Sequence, residues 1–255
     1  MPLEILTIPC RTDNYAFIAH DDTSGETAVI DVPEAGPILA ALRQRGWVPS
    51  HVLLTHHHDD HWSGLADLLA AHPAPVIGAV ADAGRLPPLD RAVAEGDRIE
   101  IGGETAEVIE VPGHTIGHIA YHFPQSAAVF TGDSLMALGC GRLFEGSAAQ
   151  MWASLTKLAA LPEDTIVCSG HEYTQSNGKF AATVDPQNPA LAARIERTAA
   201  ARAEGRPTVP STLAEEKATN PFLRAAEPAI RRQLGIEDAA PVAVFAEIRA
   251  RKDRF

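Results

Sequence analysis

Short runs that are apolar throughout, or apolar at every second position, dominate the first two thirds of the chain. They fall at residues 5–9, 15–19, 28–32, 51–55, 76–79, 106–111, 119–123, 127–131 and 165–168. Side chains of a strand point alternately to its two faces. Alternation therefore marks a strand with one buried face, and an unbroken apolar run marks one buried on both. Between these runs, residues 36–45, 64–72 and 148–161 repeat apolar positions at helical spacing. Many strands interleaved with helices predict an α/β architecture in which helices cover sheets. After Cys168 the pattern changes, and no further strand is evident. Residues 188–204 read as an Ala- and Arg-rich helix, and 242–252 fit a terminal one. Thr212 and Glu215 have the spacing of a capping box opening a short helix between them. Residues 205–211, with Pro207 and Pro210, read as a connector. The change of character places a boundary near Tyr173, dividing the chain into residues 1–173 and a small all-α domain at 174–255.

Composition narrows the class without naming a function. With 255 residues, 45% hydrophobic and 21% charged, the chain can build a sizeable core. A net charge of −12 argues against a nucleic-acid partner. No stretch of 18 apolar residues occurs, so no membrane span is expected. The opening Met-Pro-Leu-Glu-Ile lacks a basic and then apolar leader, and a cytoplasmic monomer is the simplest expectation. Cys10, Cys140 and Cys168 are odd in number and contain no CxxC pair. They predict buried free thiols, neither a disulfide framework nor a thiolate zinc site.

The chemistry concentrates in one segment. Residues 55 to 61 read Thr-His-His-His-Asp-Asp-His, directly after an apolar strand. Packing does not explain four histidines and two aspartates in seven positions. In an extended segment His56 and His58 point one way while His57 and Asp59 point elsewhere, and Asp60 and His61 fall on the turn that follows. Imidazole and carboxylate donors at this density can hold two ions side by side, with zinc, iron and manganese all compatible. Three further candidates, His114, Asp133 and His171, each follow a strand and then a glycine, which lets the backbone turn sharply. His118 and His122 lie at or on a strand and read as core or supporting groups. No Gly-x-Ser-x-Gly elbow or cysteine motif suggests a covalent route.

The set His56-x-His58-x-Asp60-His61 with His114, Asp133 and His171 resembles the metallo-β-lactamase superfamily. Within it, the chain is similar to glyoxalase II, the hydroxyacylglutathione hydrolases. The segments 12–15, 130–133, 139–141, 170–173, 208–216 and 220–222 carry that likeness over nearly the whole chain. The resemblance implies a four-layer αβ/βα sandwich with a helical C-terminal domain, and hydrolysis of S-(2-hydroxyacyl)glutathione, S-D-lactoylglutathione foremost. It implies two divalent metal ions, zinc first and iron or manganese as alternatives. His56, His58 and His114 would hold one ion, Asp60, His61 and His171 the other, and Asp133 both. Asp60 and Asp133 would then flank the water, shared by the ions, that attacks the acyl carbonyl. Arg142, Phe144, Tyr173, Arg249 and Lys252 match positions that contact glutathione. Arg142 and Phe144 stand where the family often has Lys and Tyr, so one hydroxyl contact is lost. A neutral hydrogen bond is worth about 1 kcal/mol, which predicts a several-fold weaker affinity. A glutathione persulfide dioxygenase-like oxidoreductase, another hydrolase of the superfamily and a non-catalytic metal-binding protein are the rival readings. The full seven-residue donor set argues against the first and the last.

Overall fold

The computed structural model describes residues 1–255. One six-stranded sheet runs in the order β1 (Glu4–Cys10), β2 (Asn14–His20), β3 (Thr27–Ile30), β4 (His51–Leu53), β5 (Val76–Ala79) and β6 (Arg91–Val93). Its first two pairings are antiparallel and its last three parallel. The second sheet contains β7 (Arg98–Ile101), β8 (Glu104–Glu110), β9 (Ile119–Phe123), β10 (Ala128–Gly132), β13 (Ile166–Ser169) and β14 (Ser211–Thr212). Its spatial order is β14-β13-β10-β9-β8-β7, with β10 and β13 parallel. A two-stranded ribbon, β11 (Leu135–Met136) and β12 (Gly139–Cys140), projects from the end of β10.

The two sheets face each other across one core. Phe17, Leu53 and Ile77 from the first meet Val108, Tyr121, Phe130 and Cys168 from the second. The Phe17 and Phe130 rings meet edge-on with centroids 5.5 Å apart. Burying one such side chain contributes about 1.5–3 kcal/mol, so the sheets do not part easily. On the outer face of the first sheet, α1 (Ala35–Arg45) and α2 (Leu65–Ala71) set Ile38, Leu42, Leu65 and Leu68 against Ile18, Val29 and Val52. On the outer face of the second, α3 (Ala148–Ala159) packs Met151, Leu155 and Leu158 onto Ala120, Val129 and Val167. Covered on both faces, β2, β3, β5, β9 and β10 are buried at every residue. The unbroken apolar runs have this cause. The result is the four-layer α/β sandwich.

The C-terminal helices are α4 (Thr174–Val184), α5 (Pro189–Ala203), α6 (Leu213–Thr219), α7 (Pro228–Leu234) and α8 (Pro241–Arg254). They share the outer core of the second sheet: Leu213, Phe222, Phe245 and Ile248 join the cluster that holds Met151 and Val129. Their starts are encoded locally. Asn188 accepts from the N–H groups of Ala190 and Leu191, and Pro189 occupies the first helical position. Thr212 caps α6 by accepting from Glu215 N at 3.2 Å. The reciprocal half of the expected box is not made, because the Glu215 carboxylate turns to Arg197 and Arg194. The structure also departs from the expected absence of strands after Cys168. Residues 211 and 212 pair antiparallel with β13, a ladder too short to leave a period-2 signal.

Candidate metal centre and substrate cleft

Four loops leave the strand ends on one rim of the sandwich and meet there. The loop after β4 becomes a short 3-10 turn, Asp59–His61. It supplies His56, His58, Asp60 and His61. His114 follows β8, Asp133 follows β10 at once, and His171 follows β13. Backbone bonds draw these ends together: Gly170 N donates to Gly132 O at 2.8 Å, and Tyr15 N donates to Gly170 O at 2.7 Å. Gly170 has no room for a side chain. A Cβ there would lie 2.7 Å from both Asp133 Oδ1 and His61 Cε1.

The donors fall into three overlapping groups: His56, His58 and His114; His56, His61 and Asp133; Asp60, His61 and His171. All seven residues singled out by the sequence are thus within one cluster. His56 and His61 are wholly buried and His114, Asp133 and His171 nearly so, while His58 and Asp60 are half-buried.

Neighbours fix most of the ring tautomers. Thr55 Oγ1 donates to Asp31 Oδ2 at 2.8 Å, so it can only accept from His56 Nδ1 at 3.1 Å. His61 Nδ1 donates to the same Asp31 oxygen at 2.8 Å. His114 Nδ1 donates to Arg142 O at 2.8 Å, and His171 Nδ1 faces Asp13 Oδ1 at 3.1 Å. Each of these four rings therefore turns Nε2 into the cluster. His58 instead presents Nδ1, 3.1 Å from His56 Nε2 and 2.9 Å from His114 Nε2. Asp133 lies 3.4 Å from His61 through Oδ1, and 3.4 and 3.3 Å from His114 and His171 through Oδ2. Its Oδ1 is buried without a hydrogen-bond partner. Asp60 Oδ2 accepts from Asn14 at 2.9 Å and faces His171 Nε2 at 3.4 Å.

This arrangement fits divalent cations. Lone pairs aimed at one another across about 3 Å repel unless a positive charge lies between them, and a buried carboxylate oxygen needs a partner. Without an ion, protons supply the positive charge. Burial opposes charging of His171, but Asp133 and Asp60 outweigh it and push the ring up to about 10. His61 is raised for the same reason by Asp133 and Asp31. On the other side, burial and the neighbouring rings hold His56, His58 and His114 below the usual histidine range, neutral as ligands must be.

Several supports were not legible in the sequence. Asp31 holds Thr55 and His61 from a left-handed backbone at φ 55°. Asn14 and Asp13 brace Asp60 and His171. His118, by contrast, reads from the sequence as a core or supporting group; it accepts from Asp133 N at 3.0 Å through Nε2 and thus fixes the aspartate's backbone. His122 lies on β9 outside the cluster, and His57 points away from it to Asp82.

Beside the donors lies a cavity of about 260 Å³ lined by His114, Asp133, Arg142, Phe144, Tyr173, Asn177, Arg249 and Lys252, among others. All five positions expected to meet substrate are therefore on its wall, but with different freedom. Tyr173 stacks on the His171 ring at 4.6 Å. Phe144 is 61% exposed and meets the His58 and His114 rings edge-on at 5.5 and 5.3 Å. Lys252 makes one long hydrogen bond, 3.5 Å to Ser176 O, its ammonium lies over the Phe180 and Phe255 rings at 5.3 and 5.5 Å, and burial beside Arg249 lowers its pKa. Arg249 is buried and already engaged with Cys140 O at 3.0 Å and Asp253 at 2.8 Å. It shapes the ribbon wall as well as adding charge. A larger cleft of about 350 Å³, lined by Arg194, Arg197 and Arg206 of the C-terminal part, holds none of the donor residues.

Sandwich, rim loops and donor set define a member of the metallo-β-lactamase superfamily, whose family model matches residues 20–171. A second model, described as hydroxyacylglutathione hydrolase C-terminus, matches residues 172–255. The chain is 63% identical to the hydroxyacylglutathione hydrolase of Cereibacter sphaeroides (strain ATCC 17025 / ATH 2.4.3) and 64% identical to that of Ruegeria pomeroyi, with 100% of each chain covered. A solved structure of TTHA1623 in a di-iron-bound form aligns with a TM-score of 0.63 and 26% identity, covering 85% of this chain and 98% of the other. The chain belongs to the hydroxyacylglutathione hydrolase family.

Proposed function

We propose that the protein hydrolyses the thioester of S-(2-hydroxyacyl)glutathione, with the D-lactoyl ester as its principal substrate and two divalent cations, zinc foremost, at the rim. The observation that carries the reading is the meeting of seven metal donors with a cationic cleft in a chain of net charge −12. Family membership supports the thioester, and the di-iron neighbour supports a paired site. His56, His58 and His114 would hold one cation; Asp60, His61 and His171 the other; Asp133 would reach both. Bound there, two divalent cations lower the pKa of a water from about 15.7 toward ~7 and polarise an acyl carbonyl.

The chain's own residues do the rest. Asp31, Thr55, Asp13 and the Arg142 carbonyl hold the imidazoles in one tautomer and orientation. His118 holds Asp133 by its backbone, leaving both carboxylate oxygens for the cluster. Lys252, free of any close acceptor, offers its ammonium to a carboxylate of the glutathione arm, and Arg142 adds a second exposed cation. Tyr173 and Phe144 wall the cleft on either side of the donors. The departing thiol has an ordinary pKa near ~8.5, so it leaves as thiolate without a dedicated acid. In this reading residues 1–173 build the metal centre and most of the cleft wall, and 174–255 complete the glutathione cleft with Asn177, Arg249 and Lys252.

Elemental analysis paired with an S-D-lactoylglutathione hydrolysis assay tests the reading. Two divalent ions per chain with thioester loss are expected. Oxygen uptake with glutathione persulfide and no thioester cleavage would replace it with the dioxygenase alternative.

A further inference from the structure

The hydrolytic reading leaves His57 without a task, although it stands among the ligands. Its Nδ1 donates to Asp82 Oδ2 at 3.0 Å, and its Nε2 faces Glu145 Oε1 at 3.5 Å. Asp82, fully buried, also accepts from Arg85, and Arg85 donates to Glu145. The second Glu145 oxygen accepts from Ile116 N at 2.8 Å. Gly117 lies so close to this cluster that a Cβ there would come within 2.1 Å of Asp82 Oδ1. Four separate loops are thus tied together: the donor loop after β4, the turn after β5, the segment after β8 and the loop before α3. Within the donor loop, the His57 carbonyl accepts from Trp62 Nε1 at 2.9 Å.

The loop before α3 is the one that matters for the cleft. It carries Arg142 and Phe144 on the cavity wall. Its backbone ties to the donor side near Phe144 are Phe144 N to His114 O at 3.2 Å and Gly146 N to Gly113 O at 3.1 Å. Glu145, between them, adds side-chain ties to Arg85, Ile116 and His57, beside the bond from His114 Nδ1 to Arg142 O. A solvated ion pair would contribute little. Here the buried Asp82 carboxylate and the crowded Gly117 fix one arrangement, so the loop is held rather than merely decorated with charge.

We infer that His57, Asp82, Arg85 and Glu145 form a positioning network that sets the 142–145 wall against the His58–His114 side of the cleft and so governs how tightly substrate binds, separately from metal retention and turnover. The inference rests on the thioester-hydrolase reading and deepens it. With the wall held beforehand, the substrate does not have to order it on binding.

Steady-state kinetics with S-D-lactoylglutathione, metal content, and calorimetric binding of free glutathione test it on the metal-loaded protein. Glu145→Ala should raise KM and the glutathione Kd about tenfold, the scale of one or two lost hydrogen bonds, with kcat within about twofold and metal content unchanged. Glu145→Gln keeps an acceptor for Ile116 N–H and should fall between the two. Arg85→Ala should shift KM the same way. The double variant should fall short of the sum of the singles, because both act through one network. KM and Kd unchanged in Glu145→Ala would overturn the inference. So would a fall in kcat and metal content at constant KM, which is what general loss of folded protein produces. A wild type that cleaves no thioester would sink the functional reading instead, and its glutathione affinity against that of Glu145→Ala would still decide the network.

Discussion

On the proposed assignment, both halves of the metal centre depend on Asp133. Its two oxygens face His61 on one side and His114 and His171 on the other. Asp133→Ala should therefore lower the metal content at both positions, measured by elemental analysis. Two ions per chain in that variant would refute the shared role. Proton uptake and metal uptake also compete here. The metal-free His171 is pushed up to about 10, so at pH 7 it holds a proton that a metal must expel. Loading of the metal-free protein should release protons, and the apparent affinity should rise with pH below that value. Calorimetry in buffers of different ionisation enthalpy reads this directly, and a buffer-independent heat would reject it. In the cleft, Lys252→Ala should raise KM for glutathione thioesters about tenfold and change kcat little, as expected for a charge-assisted contact. At this scale the donors were legible because imidazoles and carboxylates at such density have no packing use. Asp31 was not, since its task depends on a left-handed backbone that no neighbouring residue announces.

Among elements, the β11–β12 ribbon depends most on distant support. Glu216 on α6 accepts from Leu138 N and from Asn220 Nδ2, both at 3.0 Å, and pairs with Arg194 of α5. Asn220 in turn donates to Met136 O and Gly139 O at 3.0 and 2.9 Å. The Arg194 and Glu216 side chains are 4% and 0% exposed. Removing Glu216 leaves Arg194 only the partly exposed Glu215 as a carboxylate partner, at 3.4 Å, and breaking such a buried pair costs up to about 3–5 kcal/mol. Glu216→Ala should lose that much stability in urea denaturation. A loss below about 1 kcal/mol would mean the ribbon is held by other contacts. The hydrophobic pattern located the long strands and α1, α2, α3, α5 and α8, yet α4 escaped it. That helix buries Thr174, Asn177 and Gly178 beside Phe180 and Val184, so its inner face is partly polar and small. Asn177 points inward because Ala137 O needs a donor, at 3.0 Å. The strands β6, β7, β11, β12 and β14 are two to four residues long, too brief for alternation to register.

For the whole molecule, charge and covering are the governing facts. An acidic chain that gathers Arg142, Arg249 and Lys252 at one cleft attracts an anion there against its overall field. KM for a glutathione thioester should therefore rise with added salt, since exposed charges are screened within about 10 Å at 0.1 M. A salt-independent KM would show that these cations do not meet the substrate. The α/β class was readable from the order of runs along the chain. How closely the last third joins the rest was not, because the outer face of the second sheet looks the same in sequence whichever helices cover it.

The donors come from places far apart along the chain, with His171 arriving long after His56. During synthesis the early histidines emerge from the ribosome without their later partners. A nascent chain can at best hold an ion loosely at His56 and His58. On the proposed assignment, tight capture would have to wait until the strand that delivers His171 has been made and docked.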